Sequence, residues 1–393
     1  RDYKVTGVQT CALPISMVIG TGGILVSPTV GANESTISAA LSSGTGNELI
    51  LHQQNVQGDL VLSNVGGTNT EITTSGGGRT VITNNMAGSG TTNIGYGYLQ
   101  LGNGGTTGMI GSGAILSNGT LAVNRSNAVA INSLISGTGN FVQRGAGTTT
   151  LGGANTFQGR VSVLSGILEI TNNSALGAAS TAATNRWANL TSVGSGATLR
   201  INVTAGGAIT ELLQLKGGTL EIASAAATTL AAPVILSQAS TIQLGAGAAV
   251  SHILSGQIIS APGVGMTVNG TASGSTLILT NAANQLNGTL TIGTNARVQF
   301  GNNSAGGIGS RAAVVNNGTL ITNANNGHLV LGNQISGDGN FVQVRNTVYL
   351  TADNTYTGTT TIGSTSQNAS IRVGNDTYTG STGTGAIIVQ SSA

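Results

Sequence analysis

Few side chains in this sequence are of a type that does chemistry, and those few are scattered. After Asp2 the acids are Glu34, Glu48, Asp59, Glu71, Glu169, Glu211, Glu221, Asp338, Asp353 and Asp376, and no two are closer than ten residues. Cleavage of polysaccharides needs clustered carboxylates, often with Ca2+ or a basic group beside them. Glu211 with Glu221, the nearest pair, and Asp338 with Asp353 read as isolated solvated acids at strand ends. The histidines His52, His252 and His328 show no metal-site spacing; they read as surface or core residues. The glycine runs Gly76-Gly77-Gly78 and Gly104-Gly105 lack the aspartate of calcium-binding nonapeptide repeats. Gly137-Thr138-Gly139 precedes a strand-like segment, and no Gly-Lys-Ser or Gly-Lys-Thr follows any glycine loop, so these glycines read as turns and not as a phosphate cradle. A serine nucleophile on a Gly-x-Ser-x-Gly elbow needs a following helix, which this composition disfavours. No catalytic, cofactor-binding or metal-ligating residue is assigned, no cofactor is expected, and the chain reads as a non-enzyme.

The elements that would have to position any chemistry are short strands. The chain holds 63 glycines and 4 prolines in 393 residues, with 6% charged and 3% aromatic residues, against roughly 25% charged in an ordinary globular domain. Gly, Asn, Thr and Ser dominate the polar positions, and lysine occurs only at Lys4 and Lys216. These residues are weak helix formers and good turn or strand formers. Val161 and Val163, Leu168 and Ile170, Leu290 and Ile292, and Val298 and Phe300 alternate with Ser, Thr, Arg, Glu or Gln, the period of a strand with one buried face. Gly and Asn fall between such runs, as at Ser165-Gly166 and Gly293-Thr294-Asn295, so the strands should be three to five residues long with sharp turns. The Ala-rich run Ala223 to Ala232 is expected to form a loop or short helical turn before a strand at Pro233 to Leu236. A net charge of +2 from scattered basic residues argues against a nucleic-acid partner.

The strongest internal signal is repetition. Ser136-Gly137-Thr138-Gly139-Asn140-Phe141-Val142-Gln143 and Ser336-Gly337-Asp338-Gly339-Asn340-Phe341-Val342-Gln343 agree at seven of eight positions. Each runs on with the same spacing, through Leu151, Asn155, Gly159 and Val163 in one copy and Leu350, Asn354, Gly358 and Ile362 in the other. Leu279, Asn284, Gly288 and Ile292 form a third copy, and Leu51, Asn55, Gly58 and Leu62 a fainter fourth. Asn172-Asn173-Ser174-Ala175-Leu176-Gly177 has a counterpart at Asn302-Asn303-Ser304-Ala305-Gly306-Gly307. Repeats of this kind argue for a solenoid. Short strands, sharp turns and few aromatics fit a narrow coil, so the fold class expected is all-β, a right-handed parallel β-helix. At roughly 20 residues per coil and ~4.8 Å per coil, the rod would be on the order of 80–95 Å long. Asn155 and Asn354 are candidates for hydrogen-bonded ladders along the axis, or alternatively for left-handed turn positions.

The run from Ser136 to Gly177, with GTGNFVQ, TTTLGGANTFQG, RVSVLSGILEI and NNSALG in order, resembles the autotransporter-associated β-strand repeat of type V secretion passengers. The resemblance is clear at 136–177 and 336–373, partial at 274–309 and weak at 44–62. It implies a secreted or surface-displayed β-helical stalk at the outer membrane of a Gram-negative bacterium. It further implies export through a C-terminal translocator β-barrel of the same polypeptide, and a repeat that supplies no catalytic residue. The function expected is therefore a structural and adhesive passenger scaffold, with a host or matrix glycan or protein as possible ligand. Two alternatives stand beside it. One is a carbohydrate-active β-helix enzyme with loops from 84–130 or 178–235, tested at Glu211 and Glu221; the other is a hemagglutinin-like adhesin exported by a separate partner.

Val5 to Ile15 reads VTGVQTCALPI, which resembles translated sequencing adapter. Residues 1–16 are therefore set aside as an artefact without fold, and 17–393 is expected to be a β-helical passenger fragment cut at both ends. Cys11, the sole cysteine, lies in the set-aside part; a cysteine-free chain suits passage through a pore in the unfolded state.

Overall fold

The structure is a computed structural model that describes residues 3–4, 16–20, 23–44, 48–67, 70–178, 189–204, 206–245, 249–271, 274–304, 306–363, 368–374 and 377–390, with backbone alone at 3–4 and 325–327. The adapter-like segment Val5 to Ile15, Cys11 and Asp376 lie outside the described residues. Among the described residues all regular structure is strand except one 3-10 turn at Pro28–Val30. Strands pair in parallel with the strand one coil away: Leu121 with Phe141 and Phe141 with Val161, a step of twenty residues each time. The step ranges from 19 residues, Thr148 to Ile167, to 27, Thr360 to Ile387. This is the predicted parallel β-helix.

Contacts divide the chain into two compact units, Arg1–Ser192 and Val193–Ala393. In the first, one sheet stacks Gly23–Val26, Glu48–Gln53, Glu71–Ser75, Thr92–Ile94, Ile115–Ser117 and Ile135–Ser136. A second stacks Leu60–Leu62, Arg79–Ile82, Tyr98–Leu101, Thr120–Val123, Asn140–Gln143 and Val161–Val163, and a third stacks Val129–Ile131, Thr148–Leu151 and Ile167–Ile170. The second unit repeats the three-sided plan. Its sides are built on Leu213–Lys216, Val234–Gln238 and Ile258–Ser260; on a column from Thr198–Ile201 to Ile335–Ser336; and on a column from Gly207–Ile209 to Ile387–Val389.

The core is the predicted alternating set: Val161, Val163, Leu168, Ile170, Leu290, Ile292, Val298 and Phe300 are all buried. Each such side chain contributes roughly 1.5–3 kcal/mol on burial, and because coils are narrow, that burial is shared only between neighbouring coils. The Ala-rich run is loop at 223–227, as expected, and the strand after Pro233 is present at Val234–Gln238, but the stretch between differs from expectation. It carries no helical turn; instead Thr228–Leu230 is a strand paired with Ile253 and Leu254, with Thr228 and Leu230 buried. Alanine's helix preference is worth only tenths of a kcal/mol per residue, less than one buried leucine with its ladder hydrogen bonds.

Glycine has two separate uses. Gly137 and Gly337 open the turn of each repeat with φ of 102° and 99°, where a side chain would be strained. Gly139 and Gly159 do not have positive φ; they stack coil on coil, and a Cβ at Gly159 would lie 2.0 Å from the Gly139 carbonyl oxygen, one at Gly139 2.1 Å from that of Gly119. The same close stack recurs where Gly358 meets Gly339. The spaced glycine of the repeat is there for backbone approach and not for turning.

Candidate functional site

The repeat's asparagines do the same thing in three copies. Asn155 is buried; its Oδ1 accepts from the Ile135 amide at 2.8 Å and its Nδ2 donates to the Ala175 carbonyl at 2.7 Å. Asn284 accepts from Ile258 N at 2.7 Å and donates to Gly307 O at 2.7 Å. Asn354 accepts from Ile335 N at 2.8 Å and donates to Ser381 O at 2.7 Å. Each side chain thus joins the coil before it to the coil after it. The asparagines neither stack on one another nor occupy left-handed turns, for positive φ among described non-glycine residues occurs only at Asn303 and Asn346. The axial bonding expected of them is present, but its partners are main-chain groups that would otherwise be buried unpaired. The carbonyl acceptors at Ala175 and Gly307 lie in the second recurring motif, at its fourth and sixth positions. The faint copy is partial here too: Asn55 Nδ2 reaches Gly31 O at 2.7 Å, while its Oδ1 takes the local Gln57 amide at 3.1 Å.

The terminal glutamine of the GNFVQ motif closes the next corner. Gln143 Nε2 donates to Gly145 O at 2.8 Å while its Oε1 accepts from Thr149 Oγ1 at 2.6 Å. Gln343 likewise donates to Arg345 O and Asn346 O and accepts from Thr322 Oγ1. The repeat's asparagines are therefore coil-joining devices and its glutamines corner-closing ones, with both amide atoms engaged.

The residues weighed for chemistry are kept apart by the fold. Glu221 lies on the outer side of Thr219–Ile222, in an ion pair with Arg200 at 2.9 Å. Glu211 sits between Gly207–Ile209 and Leu213–Lys216, buried, with Oε2 lacking a hydrogen-bond partner; burial raises its pKa from 4.5 to about 7. One carboxyl faces out and is ion-paired with Arg200, the other is buried with one oxygen unpartnered, and the two do not bond to each other. Asp338 and Asp353 are both exposed. His52 bonds Ser75 Oγ through Nδ1 at 2.6 Å. His252 is buried with its Nδ1 unpartnered and its pKa lowered by desolvation. His328 is exposed and stands edge-on to the Tyr349 ring at 5.0 Å. Among the described residues no three His, Cys, Asp or Glu side chains converge as a metal site.

Of the two non-repeat segments, 84–130 contains the buried Arg125, whose guanidinium is taken up by Thr106 O, Gly108 O, Asn85 Oδ1 and Asn127 Oδ1. That arginine pins the 102–108 loop. In the other segment, residues 179–188 lie outside the described residues.

The outer surface of the first unit has a feature that alternation alone did not reveal. Along its second sheet the outward positions Val61, Val81, Gln100, Ala122 and Val142 follow one another in register, and all are buried. Arg144 reaches back two coils, Nη1 donating to Gln100 Oε1 at 3.3 Å. On the other flank Arg79 is held by Asp59 through Nε at 2.9 Å and Nη2 at 2.5 Å, and that carboxylate raises the arginine's pKa further. Between these flanks lies an open groove of about 310 Å³, lined by Gln57, Asp59, Arg79, Tyr98 and Arg144 around the side-chain-free floor of Gly77 and Gly78. Val56, 73% exposed, also lines it. Asp59, Arg79, Tyr98 and Arg144 were not singled out in the sequence; aligning the chain on a coil step near twenty brings Asp59, Arg79 and Tyr98 into one column.

Over 105 residues, 26% of this chain, the sequence is 38% identical to the adhesin BmaC autotransporter of Brucella suis biovar 1 (strain 1330). The chain covers 3% of that protein's length. No protein-family model and no solved structure matches the chain. No helix among the described residues is long and apolar enough to cross a membrane.

Proposed function

We propose that this chain is part of a β-helical passenger scaffold of an autotransporter, displayed at the outer membrane of a Gram-negative bacterium with a structural and adhesive role. The observation that carries the reading is the coil-joining asparagine, built identically from Asn155, Asn284 and Asn354, in a parallel β-solenoid whose sequence is similar to a stretch of an autotransporter adhesin. A chain whose coils each bond the previous one can fold progressively as it emerges from a pore, since every new coil finds a preformed template. A translocator β-barrel on the same polypeptide would serve the export. A non-enzymatic role agrees with Glu221 engaged in an outward ion pair and Glu211 buried away from it.

The test is to express the complete gene in its host and treat intact cells with protease. Release of β-helical fragments from the cell surface, together with loss of cell adhesion when 17–393 is deleted, is the expected result. A polypeptide protected from protease in intact cells would overturn the reading.

A further inference from the structure

We propose that Asn269-Gly270 is a site of spontaneous covalent modification, at which the chain deamidates itself with water as co-reactant, an inference independent of the passenger role. The step is a condensation followed by a hydrolysis. The main-chain nitrogen of Gly270 gives up its proton and attacks Cγ of Asn269. The new C–N bond closes a cyclic imide, and Nδ2 takes up a proton and leaves as ammonia. Water then opens the ring at either carbonyl, giving aspartate or isoaspartate. No oxidant or reductant enters the balance.

The attack has three structural requirements: a following residue with no side chain to shield the nitrogen, a glycine N–H that no acceptor already holds, and a carboxamide free to swing its carbon onto that nitrogen. Asparagine followed by glycine meets the first, and it occurs at 103–104, 118–119, 269–270, 287–288, 317–318 and 326–327. At 326–327 the side chain lies outside the described residues. The fold blocks four of the other five. Gly104 N donates to Asn124 O at 2.8 Å, and Gly119 N to Ile94 O at 3.1 Å. Gly318 N donates to Asn316 Oδ1 at 3.2 Å, while Asn317 Oδ1 accepts from the Asp338 amide at 3.4 Å. At 287–288 the carboxamide is held, Asn287 Nδ2 donating to Ser260 O at 2.7 Å. Neither restraint exists at 269–270, where no described group accepts from the Gly270 amide and none bonds the Asn269 side chain. Asn269 ends the strand Met266–Asn269 and is half-buried, so water reaches it. The following coil presents Gly293, where a Cβ would lie 2.7 Å from Asn269 Oδ1; with no side chain there, the carboxamide has room to turn.

The experiment ages the folded chain at mildly alkaline pH in water enriched in heavy oxygen and maps the conversion by peptide mass spectrometry, beside an aliquot unfolded in urea. Uptake of heavy oxygen at Asn269 should run at least about fivefold faster than at Asn103, Asn118, Asn287 or Asn317, the factor that one hydrogen bond of ordinary strength withholds. Rates should rise with pH, because the attacking nitrogen must lose its proton, and the spread among the five sites should vanish in urea. Asn269→Gln should abolish the fast site, since the longer side chain closes a larger ring more slowly, and leave the other four unchanged. A folded-state rate at Asn269 within about fivefold of any of the four, or a spread that persists in urea, would overturn the proposal, the first because the hydrogen bonds would then not select the site and the second because local sequence alone would.

Discussion

Replacing Asn155 by alanine removes two hydrogen bonds and leaves two main-chain groups, the Ile135 amide and the Ala175 carbonyl, buried without partners. An orphaned buried polar group costs about 1–3 kcal/mol, so the pair costs about 2–6 kcal/mol before water entry lowers it. In a stack of coils that touch only their neighbours, such a loss is felt locally and not across the whole chain. The suitable assay is therefore amide hydrogen exchange read residue by residue. At about 1.4 kcal/mol per factor of ten, protection at Ile135 and in the coil of Ala175 should fall by about 30-fold or more. Protection at Leu62, coils away, should hold. Asn55→Ala is the internal control: its side chain reaches one neighbouring coil and otherwise bonds Gln57, so its effect should be about half as large in free energy and confined to that side. Unchanged exchange at Ile135, or an equal loss at Ile135 and Leu62, would refute the account of the asparagine as a two-sided clamp.

Glu211, with its pKa raised to about 7, makes the stability of the second unit depend on pH. A carboxyl whose folded pKa lies above its unfolded value costs nothing below pH ~4.5, and the penalty grows as pH rises toward 7, to about 3 kcal/mol. Urea melts should show wild type losing stability between pH 5 and pH 8 while Glu211→Gln stays flatter and is the more stable at pH 8; parallel slopes would sink this. Gly139→Ala places a methyl 2.1 Å from the Gly119 carbonyl oxygen, and forcing the coils apart should cost about 1–3 kcal/mol or more, seen as lower exchange protection in both coils. A neutral result there would mean that the glycine stack is not set by close approach.

What the sequence determined by itself was whatever is local. Alternation at Val161 and Val163 or Leu290 and Ile292 has a period of two, so each strand and its buried face can be read from five residues, and the repeated GNFVQ and spaced Leu, Asn and Gly announce a solenoid. The identity of the axial bonds was half legible. Asn155 and Asn354 stood out by recurrence, but whether they bonded one another, turned the chain or clamped it depended on Ile135 and Ala175, each twenty residues away, and only stacked coils bring those groups within 2.8 Å. Gly139 was misread as a turn glycine for a related reason: left-handed φ is a local property, whereas the contact of Gly159 with Gly139 exists only between coils. The outer groove was legible only in part. A coil step near twenty aligns Asp59, Arg79 and Tyr98, but coil lengths vary from 19 to 27 residues, and nothing in sequence order says that Arg144 reaches back two coils to join them. Tertiary structure alone decides which side chains share an outer face, since that depends on how many residues each turn spends returning to it.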